Sequence, residues 1–221
     1  MTATTRVLSL VGTAAVAGAL LTSTAVANAA PCADVEAVFA RGTFAPQGFG
    51  EIGDDFVNAL RAKLGGKSLN AYAVVYPAST DFPTAVDGIR DAADHIQDVA
   101  ARCPETKIVL GGYSQGAAVI GFTTANAVPG GVDPAEVPAP MPATIATRVA
   151  AVVLFGKPDG SFMNLIGQPP VAVGPLYAGK TVELCAIGDP ICSDGDDRTA
   201  HTSYSANGMV DQGAAYAAGR V

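Results

Sequence analysis

The densest chemical signal in the chain is Gly112-Tyr113-Ser114-Gln115-Gly116. An apolar run, Lys107-Ile108-Val109-Leu110, leads into it, and another, Ala117-Ala118-Val119-Ile120, leads out. That context predicts a strand reversing into a helix with Ser114 at the bend. Gly112 and Gly116 supply no Cβ where a tight bend has no room for one. The new helix would aim free N–H groups at a site where negative charge develops, as acyl transfer requires. A structural Gly/Ser turn is the alternative, and the strand–turn–helix context favours the chemical reading.

A serine hydroxyl is a weak nucleophile and needs a base within hydrogen-bond reach. The chain has two histidines. His95 falls inside a predicted helix upstream of Ser114 and reads as a decoration of its surface. His201 falls in a loop after the last predicted strand, matching the chain order serine, acid, histidine. The acid is then one of Asp159, Asp189, Asp194, Asp196 and Asp197. Asp189 is selected because Gly188-Asp189-Pro190 directly follows a strand, whose end can hold a side chain rigidly. Asp194, Asp196 and Asp197 read as a solvated turn, without the alternating oxygen ligands and terminal Glu of a calcium loop. No CxxC occurs and neither histidine neighbours a cysteine pair, so no metal and no cofactor is expected. The backbone N–H of Gln115 should be one oxyanion donor. Thr43, in Arg41-Gly42-Thr43 after the first strand, should be the other.

These residues need a frame to hold them. Val35–Ala40 reads as a strand, and Ile52, Phe56, Leu60 and Leu64 recur at helical spacing up to Gly65-Gly66. A strand over 71–76, a helix over 85–101 entered at Phe82-Pro83, and the strand before Ser114 follow. The helix after Ser114 should run from Gln115 to about Ala127. Pro129, Pro134, Pro138, Pro140 and Pro142 mark 129–146 as a surface excursion. Strand 149–155, a long loop over 156–179, strand 181–186 and a weak helix over 205–218 complete the reading. Strands alternating with helices predict one α/β domain with a mostly parallel sheet covered on both faces.

Composition agrees and excludes other classes. The 221 residues are 49% hydrophobic and only 15% charged, with 13 Lys+Arg against 20 Asp+Glu and a net charge of -7. Such a chain is neither a disordered tail nor a nucleic-acid binder. Its 25 Gly and 15 Pro are too many for a helical bundle. Arg6, the apolar run Val7–Leu21 and Ala27-Asn28-Ala29 read as a secretory leader over residues 1–29, cut before Ala30. Thr and Ser interrupt that run too soon for a membrane span. The remaining 30–221 is one domain, secreted and either extracellular or associated with the cell wall. Four cysteines, Cys32, Cys103, Cys185 and Cys192, suggest two disulfides in an exported chain, with three pairings possible. A Cys185–Cys192 bridge would staple the Asp189 loop.

Several blocks together resemble the cutinases and cutinase-like esterases of fungi and actinobacteria, with the mycobacterial branch most similar. They are Cys32, Arg41-Gly42-Thr43, Tyr76-Pro77-Ala78, Cys103-Pro104, the Ser114 pentapeptide, Gly188-Asp189-Pro190-Ile191-Cys192 and Ala200-His201. Phe155-Gly156-Lys157-Pro158 and Gly208-Met209-Val210-Asp211 carry the mycobacterial likeness. The resemblance implies a three-layer α/β/α hydrolase with a five-stranded parallel sheet and a site without a full lid. It implies Ser114 as nucleophile, Asp189 as acid, His201 as base, and Gln115 and Thr43 at the oxyanion hole. It also implies the pairs Cys32–Cys103 and Cys185–Cys192. Fungal members usually carry serine where this chain has Thr43.

The expected function is therefore a secreted serine esterase acting on short- to medium-chain lipid-like or polyester acyl esters. Phe82, Leu176 and Ile191 are expected near the substrate and favour an acyl chain over a sugar. The expected protein is a monomer with transient contact to lipid surfaces and no nucleic-acid partner. Cutin hydrolysis, phospholipid cleavage and acetylxylan deacetylation are the alternatives on the same scaffold. A non-enzymatic surface protein would keep the core and the bridges without needing the serine, acid and histidine together.

Overall fold

The computed structural model describes residues 1–2 and 31–221, so all but the first two residues of the predicted leader lie outside the described residues. The sheet is built from β1 (Val35–Ala40), β2 (Leu69–Ala73), β3 (Lys107–Tyr113), β4 (Val149–Phe155) and β5 (Thr181–Leu184). Every pairing is parallel, in the order β2-β1-β3-β4-β5. β1, β3 and β4 are buried along almost their whole length, which is why they read as continuous apolar runs.

The helices are α1 (Gly50–Lys63), α2 (Val86–Arg102), α3 (Gln115–Thr123), α4 (Ala143–Ala146), α5 (Gly160–Leu165), α6 (Pro175–Ala178) and α7 (Met209–Ala218). Alternation along the strands divides the core between the two faces. Val35, Ala37 and Phe39 pack with Phe56 of α1 and Ala214 of α7. Val38 and Ala40 pack on the other side with Ile96 of α2 and Val119 of α3. The result is a three-layer α/β/α sandwich. The rings of Phe39, Phe56 and Phe155 meet at centroid distances of 5.7 to 6.5 Å and form the aromatic centre of the first face. Disulfides join Cys32 to Cys103 and Cys185 to Cys192, with Cα separations of 5.5 and 5.9 Å.

Where elements depart from expectation, side chains have taken the backbone groups. β2 ends at Ala73 rather than 76 because the Arg41 guanidinium binds the Val74 and Tyr76 carbonyls. α3 stops at Thr123, short of Ala127, where the Thr123 and Thr124 hydroxyls bond back to carbonyls of Val119, Ile120 and Gly121. The excursion 129–146 contains α4, and the long loop 156–179 contains α5 and α6. α7 begins at Met209, after Gly208 in the left-handed region, rather than at Ser205.

Parallel strands end together. Ala40 pairs beside Gly112, Tyr113 beside Phe155, and Phe155 beside Leu184. The segments leaving β1, β3, β4 and β5 therefore gather at one edge of the sheet. β1 connects to β2 on one side and sits beside β3 on the other, so its carboxyl end marks the crevice where open α/β sheets bind ligands.

Phe39→Ala should expose the dependence of this frame on its aromatic centre. Phe39 is fully buried, and such a truncation costs roughly 3–5 kcal/mol. Urea unfolding with both disulfides intact is the measurement, and a loss below about 1 kcal/mol would show that the neighbouring rings close the gap.

Candidate active site

Ser114 sits at the turn between β3 and α3 with φ 54° and ψ -119°, a conformation that non-glycine residues adopt at a cost of order 1–3 kcal/mol. Its surroundings enforce the bend. A Cβ on Gly112 would lie 2.3 Å from the Gly116 carbonyl oxygen, and one on Gly116 would lie 2.0 Å from that of Ala40. The Ser114 N–H donates to the Phe155 carbonyl at 2.9 Å, and its own carbonyl accepts from Ala117 and Ala118.

His201 lies in a short 3-10 turn, Ala200–Thr202. Its Nε2 is 2.9 Å from Ser114 Oγ. Its Nδ1 is 2.8 and 3.0 Å from the two carboxylate oxygens of Asp189. A carboxylate facing Nδ1 places the ring proton there, leaving Nε2 to accept the serine O–H. Asp189 is completely buried, yet both of its oxygens have further donors. The Ile191 N–H donates to Oδ1 at 2.9 Å and the Tyr204 hydroxyl to Oδ2 at 2.6 Å. Tyr204 also accepts from the Ala186 N–H at 3.1 Å. Burial, then the bond to Asp189, raises the Tyr204 hydroxyl far above its usual range, so it remains a donor. Tyr113 stacks on the His201 ring at 5.0 Å and donates its hydroxyl to the His201 carbonyl at 2.6 Å. Burial and the charges of Asp189 and Glu51 push Tyr113 up to about 12. Gly156, at φ 54°, leaves space for this cluster; a Cβ there would approach Tyr204, His201 and Asp189 to 3.0–3.2 Å.

On the opposite side of Ser114, the Thr43 hydroxyl donates to Gln115 Oε1 at 3.3 Å, and Gln115 Nε2 donates to the Ser79 carbonyl at 2.9 Å. Arg41 holds the Thr43 loop from beneath. Only 4% exposed, it donates to the carbonyls of Ala45, Val74 and Tyr76 at 2.9, 3.3 and 2.6 Å. Its guanidinium lies 4.9 Å from the Tyr76 ring centroid, and the Tyr76 hydroxyl returns a bond to the Arg41 carbonyl.

The structure thus brings Ser114, Asp189 and His201 together, with Thr43 and Gln115 beside them. Ile191 is half-buried next to Asp189, its N–H on the carboxylate. Phe82 lines an apolar cavity formed with the Pro-rich excursion. Leu176 is not brought to the serine. It lies in α6, whose preceding Gly174 bonds to Thr124 at the far end of α3, because β5 runs parallel to β4 and the chain must return to the amino ends of the strands before Thr181. Asp159 caps α5, Asp197 caps the turn at Thr199, and Asp194 and Asp196 are exposed. His95 does more than decorate a surface. It bonds to the buried Glu36 at 2.8 Å and stacks on Tyr72 at 3.6 Å. Tyr113, Tyr204, Tyr76 and the side chain of Arg41 escaped sequence reasoning. The one available signal was a charged residue directly at the end of a buried strand.

A family model described as Cutinase matches residues 31–221. The chain belongs to the cutinase family. It is 56% identical over 172 residues to a protein of Mycobacterium tuberculosis named "Probable carboxylesterase Culp5", covering 78% of this chain and 98% of that one. It is 45% identical over 218 residues to "Phospholipase Culp4" of the same organism, covering 98% and 92%. Among solved structures, Trichoderma reesei cutinase bound to a phosphonate inhibitor superposes with a TM-score of 0.63 at 35% identity, covering 85% of this chain and 76% of that one. An acetylxylan esterase shares the fold, with a TM-score of 0.70 at 24% identity over 86% and 99% of the two chains. This cutinase-family member is accordingly a serine esterase, a hydrolase of carboxylic esters.

Tyr204→Phe tests how the cutinase-family site is held. The change removes one of the two donors to Asp189 Oδ2 and leaves the Ala186 N–H without its acceptor, costing about 1–3 kcal/mol of stability. Ester kcat should fall about tenfold with KM unchanged, because the loss is of orientation and not of substrate binding. An unaltered kcat in a folded variant would remove Tyr204 from the support of Asp189.

Proposed function

We propose that Ser114 is the nucleophile, His201 the general base and acid, and Asp189 the group that orients and stabilises the imidazolium. The observation that carries this is His201 bridging Ser114 Oγ and a fully buried carboxylate at 2.9 and 2.8 Å. Oγ attacks the ester carbonyl as its proton passes to Nε2, and the carbonyl electron pair moves onto oxygen. The backbone N–H of Gln115 and the Thr43 hydroxyl are the proposed donors to that oxygen. In the resting site the Thr43 proton is spent on Gln115 Oε1 at a long 3.3 Å, a weak bond to exchange for an oxyanion. Collapse expels the alcohol, which takes the proton from Nε2. Water then repeats the sequence on the acyl-enzyme and releases the acid.

The proposed substrates are short- to medium-chain lipid-like or polyester esters. The helices of the two excursions after Ser114 span only four to six residues, too short to form an apolar cover. Phe44, beside Thr43, and Ile187, before Asp189, are large exposed apolar residues on loops that carry the site. They suit brief contact with a lipid surface by a monomeric enzyme. The relative named as a phospholipase makes phospholipid the second reading. We further propose that residues 1–29 are a secretory leader and that the protein works outside the cell, where its two disulfides persist. Among the described residues, no helix is long and apolar enough to cross a membrane.

Ser114→Ala and His201→Ala should each lower kcat by about 10⁴-fold or more while the thermal unfolding midpoint stays near wild type. Near-wild-type turnover in either folded variant overturns the assignment. Thr43→Val should lower kcat by roughly 10²-fold if its hydroxyl serves the oxyanion. An unchanged kcat would leave only the backbone of that loop in the mechanism. Across dissolved acyl esters of increasing length, hydrolysis should proceed below the solubility limit and be fastest from butyrate to decanoate. A rate that is negligible until droplets form would reveal a mobile cover.

A further inference from the structure

A cavity of about 390 Å³ lies along the far part of α3. One wall is the 3-10 turn Phe82–Ala85 and the start of α2, through Phe82, Val86 and Ile89. Phe122 of α3 forms the floor, and Val132 and Val137 of the Pro-rich excursion form the opposite wall. Phe122 is eight residues beyond Ser114, roughly 12 Å along the helix axis. That end of the cavity is therefore set apart from the reacting oxygen, while its other end, at Phe82 and Pro83, lies towards the working edge.

Its chemistry selects the occupant. Val, Ile, Phe, Ala and Pro dominate the lining, and no cation is among the lining residues to receive a carboxylate or phosphate. The one ionisable lining residue is Glu136, exposed on the excursion, which repels an anionic head group. Neither Trp nor Tyr lines it to stack a sugar. The Thr123 hydroxyl is spent on the Val119 carbonyl, so Gln168 is the side-chain amide left to meet a neutral oxygen. At roughly 30 Å³ for each non-hydrogen atom, the volume holds about thirteen of them, a chain of about twelve carbons with its oxygen. Phe82 also ties the cavity to the working edge. Its turn follows Ser79, whose carbonyl fixes the side chain of Gln115.

We propose that this cavity is a second, non-catalytic site that binds one neutral aliphatic chain, the alcohol or acyl part of an uncharged lipid. It retains the enzyme on an aliphatic substrate while a separate ester occupies Ser114. The site does not depend on which residue is the nucleophile, so Ser114→Ala protein should bind with unchanged affinity.

Calorimetric titration of the protein with 1-alkanols from hexanol to tetradecanol, each below its solubility limit, tests this directly. One site should appear, tightening about fourfold per methylene up to about dodecanol and then levelling off. Decanoate anion should bind at least tenfold more weakly than decanol. Val132→Asp, which places a charge in the wall, should weaken decanol at least tenfold while KM for a dissolved butyrate ester stays unchanged. Ala93→Phe, which fills the cavity from α2, carries the same expectation should the aspartate variant fail to fold. Affinity that is flat with chain length, or decanol that raises the butyrate KM with the same constant with which it binds, would place the alkanol elsewhere and overturn the proposal. The wild-type series decides even if neither variant folds.

Discussion

A carboxylate with no exposure to water is the constraint around which the working edge is organised. Removing an ion from water costs several kcal/mol unless its lone pairs are met. Asp189 meets this with three donors of different kinds: an imidazole N–H, a phenolic O–H and a backbone N–H. Each donor comes from a different piece of chain, so satisfying the charge also fixes where those pieces lie. Tyr204 reaches back to the Ala186 N–H and packs against Phe155 and Tyr113. The orientation of His201 is thereby tied to the aromatic core beneath the sheet. The Cys185–Cys192 bridge closes the same loop covalently.

On the other side of Ser114 an arginine plays the comparable part. Arg41 is buried and carries its charge against three carbonyls and a tyrosine face, with no carboxylate opposite among the described residues. Those carbonyls belong to the chain leaving β2 and to the Thr43 loop itself. One guanidinium therefore ends β2, turns the chain towards α2 and props the loop that carries Thr43. Lysine would not replace it, because a point charge cannot serve three diverging acceptors from one fixed fork. The topology puts this arginine where it is needed: β1 is the strand at which the sheet order reverses.

The legibility of the sequence followed the range of the interactions involved. Ser114, Asp189 and His201 were readable because their chemistry restricts residue type and chain order, and because strand and helix patterns flank them. The sheet was readable because two-sided burial leaves continuous apolar runs. Tyr204 and Arg41 were not, since their roles rest on partners 15 and 33–35 residues away that no local pattern announces. Leu176 was misplaced for a related reason. Between β4 and β5 the chain is held by side chains and by α3, and its course past the sheet has no periodic signature. His95 read as a surface residue because Glu36, its buried partner, sits alone among apolar neighbours in β1.

The two ends of α3 divide the labour of the fold. At its start, glycines let backbones approach so closely that Ser114 is forced into a left-handed conformation and lifted clear of the helix. Such strain persists only where rigid surroundings over-determine it, and here β1, β3 and β4 all press on the turn. At its end, two threonines turn their hydroxyls inward to close the helix, and the chain departs into the Pro-rich excursion. That departure leaves an apolar space instead of a packed interface with α2. A short helix thus separates a rigid, polar and fully hydrogen-bonded edge from a roomy apolar one, and the turn at Phe82 borders both. Precise placement of atoms for bond-making and loose accommodation of a hydrocarbon chain require opposite packing, and α3 runs from a region of the first kind into one of the second.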